Sequence, residues 1–309
     1  MSINRFTLKL ISPAFIAGSD KNFPEMRASS VRGQLRYWLR AILGTQNPSL
    51  KYVWDEEEKI FGSTNMGSAV AVRVYGDNSK TEKVAMLPHR DKGNQSFQPA
   101  LHPDKTPKYE LELVTRPGAK IPPKALGALY VWSLLGGLGR RSRRMFGGID
   151  LIPVDNIPVW WNIPQNGDDL ANTIKTILEL LQSDSYQYKS NEIPPFPTLH
   201  SQHSWVLVGK IPQGDKIPYD NYDDAIKDLF KKLLRIDEFR DNPVFGWAKS
   251  NSRRASPLIA QLRRIKNNYY PVLTAIRSHP SDTIKWDVMS AFMNKAKDVF
   301  GGEFVWGGW

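Results

Sequence analysis

Residues 136 to 148 read GGLGRRSRRMFGG, five glycines and four arginines in thirteen positions. Glycine allows backbone turns and close approaches that a Cβ forbids. Arg140, Arg141, Arg143 and Arg144, with Ser142 between them, carry planar forks suited to phosphate. The obvious anion is a nucleic-acid backbone. Two other segments carry similar chemistry. In ASSVRGQLRYWLRAILG (residues 28–44), Arg32, Arg36 and Arg40 form one stripe at i, i+4, i+8, about 12 Å long at 1.5 Å per residue. Such a row follows two or three phosphates, or else it is a basic flank pairing with nearby carboxylates. In FGWAKSNSRRAS, Trp247 lies beside Lys249, Arg253 and Arg254. Aromatics interleaved with arginine stack the bases of single-stranded RNA, and core packing is the competing use of the ring.

Catalytic machinery is sparse by comparison. No GxxxxGK[ST] loop occurs, since Gly209-Lys210 is followed by Ile211, and there is no HExxH. His200 and His203 stand at i, i+3 in a proline-flanked segment with no third ligand evident, and read as surface or loop histidines alongside His89, His102 and His279. Asp20 reads as a turn residue in the loop after the first strand. No metal and no cofactor is expected. The absence of cysteine excludes disulfides, thiol catalysis and cysteine-bound zinc.

The whole chain fits an anionic partner. It has 309 residues, 42 Lys+Arg against 31 Asp+Glu, a formal charge of +11 and 41% hydrophobic residues, enough for a real core. The first residues, MSINRFTLKLI, alternate like a strand and lack a signal peptide's apolar core. No run approaches the roughly 18 apolar residues of a membrane span. The expectation is a cytoplasmic protein without membrane contact.

The elements that must position these residues follow from periodicity. Strands are expected at 4–10, 69–75, 109–115 and 149–154. Helices are expected at 29–43, capped by serines and closed by Gly44, over DEEEKIFG to Gly62, and from Pro122 or Pro123 to Leu135. Between residues 76 and 108 lies a polar loop or hairpin excursion. Val31, Leu35, Trp38 and Ile42 form the buried stripe of the first helix, and Trp132 is also read as core. The order β-α-β-β-α-β, with one extra helix, is that of a ferredoxin-like domain, and the Gly/Arg loop falls between its second helix and last strand. The second half repeats the scheme loosely. It has helices at 168–181, 222–234 and 283–300, a strand at 204–210 and paired strands at 257–263 and 269–276. The tail GGEFVWGGW either docks on a neighbour or covers its own core. The fold class is α+β, with two ferredoxin-like (RRM-like) domains in tandem over residues 1–160 and 161–309.

SSVRGQLRYWLRAILG, then IFGS at 60–63, then GGLGRRSRRMFGG, in that order, resemble the family of the first subunit of the Cmr complex, the type III-B CRISPR effector, within the RAMP superfamily. RRASPL at 253–258 looks like a second-half element of it. The resemblance implies a non-catalytic, RNA-binding subunit that caps the complex near the 3′ part of the guide RNA and helps capture target RNA. It implies partners among the other RAMP subunits. It also implies RNA contact by Gly136, Gly137, Gly139 and the loop arginines, and by Arg32, Arg36 and Arg40. Two alternatives remain open: a metal-independent CRISPR RNA-processing endoribonuclease on the same fold, and a generic single-stranded RNA-binding module.

Overall fold

Strand β1 (Ile3–Leu10) buries Phe6, Leu8 and Leu10 on one face, as their alternation demands. It lies centrally in a four-stranded antiparallel sheet of order β2-β5-β1-β6, where β2 is Val70–Tyr75, β5 Tyr109–Thr115 and β6 Ile149–Pro153. Helices α1 (Ala28–Gln46), α2 (Leu50–Phe61) and α3 (Pro123–Leu135) complete this unit, and the hairpin β3 (Thr81–Ala85) with β4 (Phe97–Leu101) is inserted between β2 and β5. The computed structural model describes residues 2–78, 81–87, 95–105, 108–155, 158–182, 186–189, 192–215, 217–249, 252–279 and 284–309. His89 and Thr283 lie outside them, and the side chains of residues 247–249, 252 and 253 are likewise not described.

After the connecting helix α4 (Gly167–Leu181), the second unit repeats the plan. Strand β7 (Ser204–Val208) is followed by α5 (Tyr222–Asp228), which widens into a π-helical turn over Leu229–Leu234. A small hairpin, β8 (Trp247–Lys249) with β9 (Ser252–Arg254), precedes β10 (Leu258–Ile265), β11 (Asn268–Ile276), helix α6 (Trp286–Val299) and β12 (Glu303–Gly307). The sheet order β10-β11-β7-β12 reproduces that of the first sheet. The tandem ferredoxin-like expectation therefore holds for both halves.

Three differences from the sequence reading have plain causes. Helix α1 does not stop at Gly44 but runs to Gln46. A Cβ on Gly44 would meet the Phe196 ring at 2.6 Å and Thr198 at 2.9 Å, so this glycine makes room for a crossing segment. Nor is α1 capped by a serine side chain: the Arg27 carbonyl accepts from Ser30 and Val31 N–H. The tail, in turn, is a full strand. β12 pairs with β7, and Trp306 donates its indole N–H to the Leu199 carbonyl at 2.9 Å.

The two units share an interface in which α3 is the middle layer. It is apolar all round, with ten of its residues buried, as a helix packed on two sides must be. One side faces its own sheet; the other faces β10 and β11, whose Ile259, Ile265 and Tyr270 join the first core. Leu258, Ala260 and Leu262 point the other way, toward α6. A sheet covered on both faces is buried along its strands: residues 258–265 are buried except Arg264, and 269–276 are buried throughout.

Candidate nucleic-acid interface

The Gly/Arg loop begins where α3 ends. The last carbonyls of a helix lack intrahelical donors and carry the negative end of its dipole. Here Arg263 of β10 supplies the donors, to the carbonyls of Leu134 and Gly136, each at 2.6 Å. It also donates to Ile149 at 3.3 Å and Leu262 at 2.8 Å. Burial pushes this guanidinium down to about 9, with nearby Asp150 acting against the shift. Two residues earlier, the Gln261 side-chain amide donates to the carbonyls of Ser142 and Phe146. The loop then pairs with the open edge of β10: Met145 N–H donates to the Ala260 carbonyl at 2.8 Å, within a parallel bridge between Arg144 and Ala260. An exposed strand edge is thereby covered.

The glycines serve this packing. Gly136 and Gly137 are buried, and a Cβ on Gly137 would strike the Gln261 amide. Gly139 has φ of +89°, and a Cβ there would lie 2.7 Å from the Phe15 carbonyl oxygen, which accepts from Arg140 N–H at 2.8 Å. The expectation that Gly136, Gly137 and Gly139 clear space for ribose-phosphate gives way to another use. The space their missing Cβ atoms leave is filled by protein.

The loop arginines divide. Arg140 is exposed, with no side-chain partner among the described residues. Arg141 is half-exposed in the left-handed region, φ +63°. Arg143 donates to the Ser256 carbonyl at 2.6 Å, and its guanidinium lies over the Tyr37 ring, 5.4 Å from the centroid. Arg144 is half-buried, donating to the carbonyls of Arg143 at 2.7 Å, Phe245 at 3.0 Å and Leu258 at 3.4 Å. Burial pushes it down to about 10, and the charges of Arg143, Arg141 and Arg235 add to the effect. Arg144 is a structural clamp rather than a free cation.

The second basic segment is brought to the same place. Phe245 and Ser256, the carbonyl acceptors of Arg144 and Arg143, flank the β8–β9 hairpin that carries Lys249, Arg253 and Arg254. Segments a hundred residues apart in sequence thus converge. Burial lowers the Arg254 guanidinium from its ordinary range.

The α1 stripe is placed differently. The apolar side is buried as expected, with Trp38 only 1% exposed. Glu57 of α2, 2% exposed, accepts from Arg36 and, at 3.0 Å, from Arg40, while Arg32 donates to the Phe61 carbonyl. All three arginines hold α2 against α1, Arg36 and Arg40 through a carboxylate and Arg32 through a backbone carbonyl.

The histidines also depart from expectation. His200 and His203 are buried, with their rings edge-on to Tyr188 at 4.9 and 4.4 Å. Burial, with Arg277 and His200 nearby, pushes His203 down to about 4, and burial lowers His200. His102 contacts the Tyr222 hydroxyl at 2.9 Å. Among the described residues no three His, Asp or Glu side chains are grouped to hold a metal. Asp20 accepts from Asn22 N–H at 2.8 Å, a turn contact. No helix among the described residues is long and apolar enough to cross a membrane.

Gln261 and Arg263 were not singled out from the sequence as loop clamps. The available signal was two polar residues at i, i+2 within the apolar run LIAQLRRI, which puts both on one face of a strand.

The fold is that of a tandem ferredoxin-like protein, and residues 7–150, just under half of the chain, match the model of the RAMP superfamily. The chain is similar to Cmr1 subunits. It is 22% identical to CRISPR system Cmr subunit Cmr1-1 of Pyrococcus furiosus, over 100% of this chain and 99% of that one. It is 40% identical to Cmr subunit Cmr1-2 of the same organism over 76 residues, 24% of this chain and 41% of that relative's length. Its fold matches the crystal structure of Cmr1 from Pyrococcus furiosus in its apo form, with TM-score 0.65, 21% identity and full coverage of both chains. It also matches a chain of the type III-B Cmr-beta complex bound to cognate target RNA, with TM-score 0.57, 15% identity and coverage of 96% and 99%. The likeness to the first Cmr subunit, and the tandem ferredoxin-like fold it implies, are therefore borne out.

Proposed function

We propose that this chain is a non-catalytic RNA-binding subunit of a type III-B CRISPR ribonucleoprotein, with domains at 1–160 and 161–309. It caps the assembly near the guide RNA 3′ region and helps capture target RNA, beside other RAMP subunits. The observation that carries the reading is the convergence of the Gly/Arg loop with the β8–β9 hairpin. Arg140, Arg141, Arg143 and Arg144 stand within five consecutive residues, and Arg140 is exposed with no side-chain partner among the described residues. Such a cationic cluster is relieved by a polyanion. Arg140, Arg141, Ser142, Arg143 and Arg254 form the proposed contact surface, beside the hairpin whose backbone carries Lys249 and Arg253. Gly136, Gly137, Gly139 and Arg144 shape it from behind, and Arg32, Arg36 and Arg40 brace its first helix.

The test is RNA binding at several salt concentrations. Replacing Arg140, Arg141 and Arg143 by alanine flattens the slope of log affinity against log salt by up to about 2, at about 0.7 per phosphate on a single strand. An unchanged slope rejects the surface. Crosslinking in the reconstituted complex tests the place beside the guide 3′ region. Incubation of labelled single-stranded RNA with the protein, with and without magnesium, tests the non-catalytic reading; specific cleavage rejects it.

A further inference from the structure

The segment between β1 and α1 returns on itself as a short two-stranded arm. Ala17 bridges Pro24, and Glu25 N–H donates to the Ile16 carbonyl at 3.0 Å. The same arm is stitched to the Gly/Arg loop by the bridge between Phe15 and Arg140. Phe15, Ile16, Pro24 and Met26 are buried and fix the arm, while the tip is closed by the turn in which Asp20 accepts from Asn22. At that tip Phe23 is 71% exposed, next to exposed Lys21. A lone exposed aromatic is ordinary; what gives this one a use is its place. The return strand and the loop pair with opposite edges of the arm, so at about 3.3 Å per residue and about 4.8 Å per strand the Phe23 backbone lies roughly 14 Å from that of Arg140. Both side chains are exposed, on elements hydrogen-bonded to each other. Tyr37, another aromatic beside the loop, already has Arg143 over its ring, and Phe15 and Phe146 are buried.

We infer that Phe23 is a base-stacking residue for single-stranded RNA, with Arg140 taking an adjacent phosphate. The inference rests on the RNA-binding reading above and names which group meets the bases. A phenyl face stacks any base and needs no hydrogen-bond code, so the arm grips RNA without reading its sequence. Stacking and charge neutralisation differ in salt dependence, because only the second releases counterions.

The experiment uses the full chain with a labelled short oligoadenylate and an abasic strand of the same length, each titrated at several salt concentrations. Phe23→Ala should weaken oligoadenylate binding roughly 5–150-fold, the range for stacking of one base. It should leave the salt slope and the affinity for abasic RNA unchanged, and Phe23→Trp should keep wild-type affinity. Arg140→Ala should weaken both RNAs and flatten the slope by about 0.7. If Phe23→Ala binds oligoadenylate as wild type does, the inference is wrong while the RNA-binding reading stands. If the wild-type chain binds neither RNA, the reading falls and the inference with it.

Discussion

Arg263, on a strand of the second unit, donates to the carbonyl of Gly136, the residue that ends α3 in the first, at 2.6 Å. One buried side chain therefore closes a helix, starts the Gly/Arg loop and joins the two ferredoxin-like units.

Arg263→Met should be strongly destabilising. It leaves carbonyls at the end of α3 without donors, and each buried unsatisfied group costs about 1–3 kcal/mol. A loss of about 2–4 kcal/mol in urea unfolding is expected, with protease cleavage appearing within residues 136–148. Wild-type stability in this variant would show that solvent replaces the guanidinium.

Gly139→Val should damage the loop itself rather than only its ligand contacts. The residue sits at φ +89° against the Phe15 carbonyl, and a side chain in this region costs about 1–3 kcal/mol. Thermal unfolding should show the loss before any RNA is added, and RNA affinity should fall with it.

The α1–α2 contact is expected to appear as stability. Glu57→Ala removes the shared acceptor of Arg36 and Arg40, which are 28% and 43% exposed and so are partly solvated when left alone; a loss of about 1–3 kcal/mol is expected. A double-mutant cycle of Arg36→Ala with Glu57→Ala should show coupling. Trp38→Ala, beneath them, should lose about 3–5 kcal/mol. RNA salt dependence should be unaltered in Arg36→Ala.

His203 predicts an acid weakness. Its folded value is depressed to about 4, so the unfolded chain binds the proton more readily. The stability it confers is present above about 6.5 and is lost as pH falls toward 4, about 3 kcal/mol in all. Urea midpoints at pH 7.5 and 4.5 measure it, and His203→Phe should flatten that part of the profile.

Removing residues 303–309 deletes the fourth strand of the second sheet, uncovers the edge of β7 and takes away the Trp306 bond to Leu199. The truncated chain should unfold or self-associate, which sedimentation would show.

Much of this architecture was legible in the chain. Period-2 and period-3.6 patterns placed β1, β5 and the buried stripe of α1, because burial of one face leaves a local trace in the order of residues; α3, apolar all round, was marked instead by the prolines at its first turn. The density of arginine in residues 140–144 was equally plain. What the order of residues could not assign was the partner of each charge. Arg36 and Arg140 are alike as letters, yet one meets buried Glu57 and the other meets solvent. Arg144 reads as a free cation until Phe245 and Leu258 are brought beside it. The tail hid a strand because FVW is too short to show a period, and only the open edge of β7 makes it one. Periodicity is set by the chain's own neighbours, whereas the pairing of a charge, the crowding at a glycine and the filling of a sheet edge depend on residues from about twenty to more than a hundred positions away. Those were decided only when the elements packed, some within one unit and some, as for Arg144, between the two.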